Sequence, residues 1–151
     1  MNELQLKCRQ ASMIGGAFIF MIIIYAVVVE YISLILAPFS GFGKFPASAY
    51  MLLRYFFFAV ALIQFFLIRY YKAFVLANKT KSEDLLLRLL SAAIVAYAFC
   101  ESVAIYGLLL FLISGSSTDF WILWGISLLY FIIYFPRSSQ WEEWYMQNKS
   151  G

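Results

Sequence analysis

"MIGGAFIFMIIIYAVVVEYISLILA", residues 13–37, holds one charged side chain, Glu30, within an otherwise apolar run. About 20 apolar residues are enough for a helix to cross hydrocarbon about 30 Å thick. The run is too long for the apolar part of a cleaved signal peptide, and no small-residue cleavage site follows it. It therefore reads as a retained first transmembrane helix. Three comparable runs follow: residues 50–71, "YMLLRYFFFAVALIQFFLIRYY"; the apolar part of residues 82–114; and residues 120–135, "FWILWGISLLYFIIYF". Ser82, followed by Glu83 and Asp84, supplies a cap and an acidic first turn, so the third helix is expected to begin at Ser82, outside the membrane. Only helices and closed barrels satisfy their backbone polar groups in lipid. The expectation is an all-α polytopic protein of four transmembrane helices arranged as two hairpins, in one membrane domain covering residues 1–151.

Composition agrees with that class. Of the 151 residues, 64% are hydrophobic and 13% charged, and the mean hydropathy is +0.84, whereas soluble domains carry about 25% charged residues. Four spans and short loops leave no room for a soluble domain. The chain has no histidine, which removes the commonest general base, metal ligand and haem ligand, so no cofactor is expected. Cys8 and Cys100 have neither disulfide nor metal spacing. Cys100 reads as a packing residue, and Cys8, between Lys7 and Arg9 at a membrane entry, is a candidate for palmitoylation. Walker loops, dinucleotide turns and nucleophile elbows are absent, and nothing marks an enzyme.

Cations give the orientation, because short loops rich in Lys and Arg stay on the cytoplasmic side. Lys7, Arg9, Arg69, Lys72, Lys79, Lys81, Arg88, Arg137 and Lys149 are nine of the eleven, against Lys44 and Arg54 on the other side. Both termini are expected to be cytoplasmic, in a bacterial-type inner membrane or a plasma membrane. The net charge of +3 is thereby explained without a nucleic-acid partner. Trp121, Trp124, Tyr130 and Tyr134 fall near the ends of the fourth span and read as membrane anchors. Trp141, Trp144 and Tyr145 suggest an interfacial C-terminal segment over residues 137–151.

The informative residues are the polar ones inside the spans: Glu30, Arg54, Gln64 and Glu101. At a rise of about 1.5 Å per residue, Glu30 and Arg54 lie about 10 and 6 Å below the outer ends of their helices. That similarity of depth suggests an ion pair between them. Glu101 lies about 20 Å in from the cytoplasmic side, slightly past the midplane, without an evident partner. Gln64 falls on the cytoplasmic side of the midplane, about 10 Å away in depth. Ala93, Ala96, Cys100, Ala104 and Gly107 form a stripe at helical spacing that lets another helix approach closely. Glu101 borders this stripe and is expected to face protein.

"ESVAIYGLLLFLISG", residues 101–115, resembles the ion-binding helix of the rotor-ring proteolipids (c or K subunits) of rotary ATPases. There an embedded glutamate precedes a small residue and an Ile/Leu-Tyr-Gly/Ala-Leu run, matched by Ala104, Ile105, Tyr106, Gly107 and Leu108. The resemblance implies that Glu101, with Tyr106 nearby, carries a proton or sodium ion. It covers one helix, while the high aromatic content and short loops favour a structural or accessory subunit. The expected partners are the lipid bilayer and other membrane subunits, or further copies of the chain. The alternative is a proteolipid-like proton- or sodium-translocating subunit acting through Glu101.

Overall fold

The computed structural model describes residues 3–43, 46–77, 82–135, 142–143 and 145–146. Four helices account for nearly all of them: α1 (Glu3–Ile35), α2 (Ala47–Ala77), α3 (Ser82–Ser114) and α4 (Ser117–Tyr134). No strand occurs among the described residues. Each helix is long and apolar enough to cross a membrane, so the fold is that of an all-helical integral membrane protein.

The helices outrun their apolar cores. Residues 13–37 and 50–71 mark where α1 and α2 lie in hydrocarbon, but α1 starts at Glu3 and stops at Ile35, and α2 runs Ala47–Ala77. Hydropathy reports the solvent, whereas backbone hydrogen bonding continues through polar sequence such as "LQLKCRQAS". α3 spans Ser82–Ser114, as its cap signal implies. α4 begins three residues before the apolar run because Ser116 is its N-cap, accepting a hydrogen bond from the Asp119 backbone N–H. "GSSTD" is therefore half turn and half helix.

α3 is the hub of the bundle: it packs against α1, α2 and α4, whereas α1 and α2 make no close backbone approach to each other. The reason lies in its small residues. Ala93, Ala96, Cys100 and Ala104 are each at most 4% exposed, and a Cβ added at Gly107 would sit 3.1 Å from Leu123 Cβ and from the Phe120 carbonyl oxygen. α4 thus lies nearly backbone to backbone with α3, and the Ser127 hydroxyl donates to the Cys100 carbonyl at 2.6 Å. α2 and α4 run parallel, since Tyr50 meets Asp119, Tyr130 meets Ala61 and Tyr134 meets Phe65 at the same sequence offset of 69.

At one end of the bundle the α1–α2 connection caps α3. The backbone N–H groups of Phe42 and Gly43 donate to the carbonyls of Leu112 (2.8 Å) and Ile113 (3.1 Å), satisfying last-turn acceptors that α3 cannot pair internally. The approach requires Gly41, at φ +84, with the Ile113 carbonyl where a Cβ would go.

Three aromatic residues of α4 read as membrane anchors turn inward. Trp124 Nε1 donates to the Ile22 carbonyl (3.0 Å), Tyr130 to that of Ala61 (3.0 Å) and Tyr134 to that of Phe65 (2.9 Å). In hydrocarbon a polar tip needs a protein partner, and these become ties from α4 to α1 and α2. Trp121 stays partly exposed. Residues 142–143 and 145–146 are helical, with Tyr145 against the main core; Trp141, Trp144 and the rest of residues 137–151 lie outside the described residues. So do Lys44, Lys79 and Lys81.

Candidate intramembrane polar site

Two consecutive residues of α3 build the site. Positions 101 and 102 differ by about 100° around a helix, so they address different neighbours. Glu101 faces α1, where the Tyr25 hydroxyl donates to its Oε1 at 2.8 Å. Ser102 faces α2, where Gln64 Nε2 donates to Ser102 Oγ (2.9 Å) and to the Tyr106 hydroxyl oxygen (2.9 Å). Ser102 and Tyr106 are four residues apart and so share one face of α3. Ser102 in turn donates to the Phe99 carbonyl at 2.8 Å. The Tyr106 ring stacks on Phe57 at 5.1 Å with an 8° interplanar angle, which fixes its hydroxyl beside Gln64.

Glu101 is thus half-buried and has the partner that sequence reasoning did not find. Gln64 does not reach Glu101, yet it sits level with the residue that follows, so the two are closer in depth than residue counting from α2's apolar end implied. Gln64 is 5% exposed, and its Oε1 is buried without a hydrogen-bond partner. The groove beside it, about 290 Å³, is lined by Gln64, Val95, Ala98, Phe99, Ser102 and Tyr106.

A second polar cluster lies near the α3–α4 turn. Asp119, 2% exposed, accepts from Arg54 Nε at 3.0 Å and from the Tyr50 hydroxyl. Arg54 also lies over the Phe58 ring, 6.0 Å from its centroid. The ion pair expected between Glu30 and Arg54 is therefore replaced by Asp119–Arg54. Equal depth on consecutive helices implied contact, but α1 and α2 are not neighbours, and α4 is the helix facing Arg54. Glu30 is exposed on the outer surface of α1.

Sequence reasoning missed Tyr25, Ser102, Tyr50 and Asp119. A signal existed only for Asp119, an acid three residues after a serine, which marks a helix start. Its pairing with Arg54 depends on the packing order. Among the described residues no cluster of three or more His, Cys, Asp or Glu side chains could hold a metal ion. What the arrangement supplies is one carboxylate held by a tyrosine and a carboxamide bridging two hydroxyls, all between helices of one chain. Compared with known protein families, curated proteins and solved structures, the chain matches none.

Proposed function

We propose that this protein is a structural or accessory subunit of a larger membrane complex, with Glu101 serving as an interhelical hydrogen-bonding group. The observation that carries the reading is the Tyr25–Glu101 hydrogen bond. It uses the intramembrane carboxylate to join α1 to α3 inside one chain, where a membrane-depth acid has its structural role. The surface supports the same reading. α1 and α2 bury only 17% of their most apolar windows, against 44% for α3, leaving broad apolar faces for lipid or neighbouring subunits. In this reading α3 and α4 pack as a hairpin, whereas α1 and α2 follow one another in sequence but each pack on α3, and both termini are cytoplasmic, as the Lys and Arg distribution favours, in an inner or plasma membrane.

The test is the native particle. Tagged protein extracted in mild detergent and measured by size-exclusion chromatography with light scattering should run as a heteromeric assembly. Glu101→Gln should change its stability and leave ion fluxes alone. A particle containing one 17.4 kDa chain and no other protein sinks the reading.

A second reading, proton or sodium translocation at Glu101, draws support from the half-exposure of that residue and from the adjacent Ser102–Gln64–Tyr106 cluster. Under it, dicyclohexylcarbodiimide labels Glu101, sodium or acid alters the labelling, and Glu101→Gln abolishes transport with assembly intact.

A further inference from the structure

Glu30 is the one residue of the α1–α4 groove that carries a charge. The groove is a shallow, open depression of about 380 Å³ lined by Ala26, Val27, Glu30, Tyr31, Leu34 and Trp121. Its apolar wall faces outward, with Val27 62%, Tyr31 64% and Leu34 77% exposed. The length of α4 sets the depth. Its 18 residues extend about 27 Å, close to the hydrocarbon thickness of about 30 Å, so its ends mark the two boundaries. Glu30 lies one and a half turns before the end of α1 and shares a groove with Trp121, at the corresponding depth of α4. The carboxylate is therefore about 7 Å inside the boundary and turned away from the bundle. An acid facing lipid there costs free energy that a cation brought by a neighbour would recover.

Among the described residues no cation of this chain meets Glu30: Arg54 is bridged to Asp119, and a second copy presents the same engaged arginine. Acyl chains fill an apolar groove but leave the carboxylate unpaired. We propose that the Glu30 groove seats a transmembrane helix of a different polypeptide carrying one lysine or arginine at the depth of Glu30. This rests on the subunit reading and names the face through which the subunit docks.

The test uses the full chain in lipid nanodiscs and a labelled single-pass leucine-rich peptide with one lysine at the matching depth. The control peptide has leucine at that position, and binding is read by energy transfer. The lysine peptide should bind about tenfold more tightly than the leucine peptide. Glu30→Gln should reduce that preference below about twofold, and Glu30→Lys should shift it to a glutamate-bearing peptide. Because Glu30 is exposed, an unchanged unfolding midpoint confirms that the variants fold. Equal binding of both peptides, a preference that survives Glu30→Gln, or self-association through this groove that displaces the peptide overturns the proposal. A native heteromeric particle that persists alongside such a failure leaves the subunit reading standing, whereas a native monomer removes that reading itself.

Discussion

Arg54 Nε lies 3.0 Å from Asp119 Oδ1, and the two ends of this bridge are unequal: the Arg54 side chain is 41% exposed, the Asp119 side chain 2%. Asp119 occupies the first turn of α4, where a carboxylate also meets the positive end of the helix dipole and the N–H groups that have no partner in the helix. The buried partner thus depends on the arginine more than the arginine depends on it.

That asymmetry makes single and double replacements differ. Arg54→Leu strands a buried carboxylate with Tyr50 alone and should destabilise the protein by about 1–3 kcal/mol, less than a fully buried pair because the guanidinium is partly solvated. Asp119→Leu leaves a partly exposed guanidinium in place of a stranded buried carboxylate and should cost less through the lost pair. The double replacement should cost clearly less than the sum, since no unpaired charge is left behind. Unfolding free energies in mixed detergent micelles check this; strict additivity would show that the two side chains do not interact.

The Tyr25–Glu101 bond makes a similar claim at mid-membrane. Tyr25→Phe removes one hydroxyl and Glu101→Gln replaces the carboxyl acceptor with an amide. Each should cost about 1 kcal/mol, with a coupling of about 0.5–2 kcal/mol in the double-mutant cycle. A coupling near zero with both single variants as stable as the parent would remove the interhelical role of Glu101.

The two clusters show which parts of the architecture were legible in the sequence. The spans were, because hydrocarbon imposes length and composition locally, and so was the Ser82 start, because a cap is written in three neighbouring residues. The Ala93–Gly107 stripe was readable as a close-packing face because helical spacing alone puts those residues together. Partners were not readable. Arg54 meets Asp119 and not Glu30 because α4, distant in sequence, lies beside α2, while α1 does not. Glu101 meets Tyr25 for the same kind of reason, as α1 packs on α3. Residue counting gives depth along a helix and says nothing about which helix faces which. The inward turn of Trp124, Tyr130 and Tyr134 was hidden similarly, since an aromatic residue near a helix end suits both a lipid headgroup and a neighbouring carbonyl.

The adjacent glycines of α1 give a contrast within one dipeptide. A Cβ at Gly15 would lie 2.9 Å from the Tyr97 ring and 3.1 Å from Phe135, whereas at Gly16 nothing comes within 4 Å. Tyr97 is fully buried and stacks on Phe131 at 5.6 Å, so it has little freedom to retreat. Gly15→Leu should destabilise by about 1–3 kcal/mol or more through overpacking. Gly16→Leu should be neutral, or mildly favourable through helix propensity. Matching losses at the two positions, measured by unfolding, would contradict the packing of α1 on α3.

Gln64 offers the last contrast, because its carboxamide is only half used. Nε2 donates to Ser102 and Tyr106, which stabilises the site, while Oε1 is buried without a partner and loses its solvation. A hydrogen bond contributes about 1 kcal/mol net and an unsatisfied buried polar atom costs about 1–3 kcal/mol, so the two sides of this residue nearly cancel. Gln64→Leu removes both, and the lost donor strands little, since Ser102 still donates to Phe99 and Tyr106 remains stacked on Phe57. The expected change in unfolding free energy is therefore within about 1 kcal/mol of zero, unusually small for a 5%-exposed polar residue at the helix–helix contact. Gln64→Glu should behave differently, because a carboxylate forced into the same pocket meets a desolvation cost with no donor among the described residues placed as the Tyr25 hydroxyl is for Glu101. A loss of about 2 kcal/mol or more is expected there. Should Gln64→Leu prove as damaging as Gln64→Glu, the carboxamide oxygen must have a partner in the membrane that completes this site.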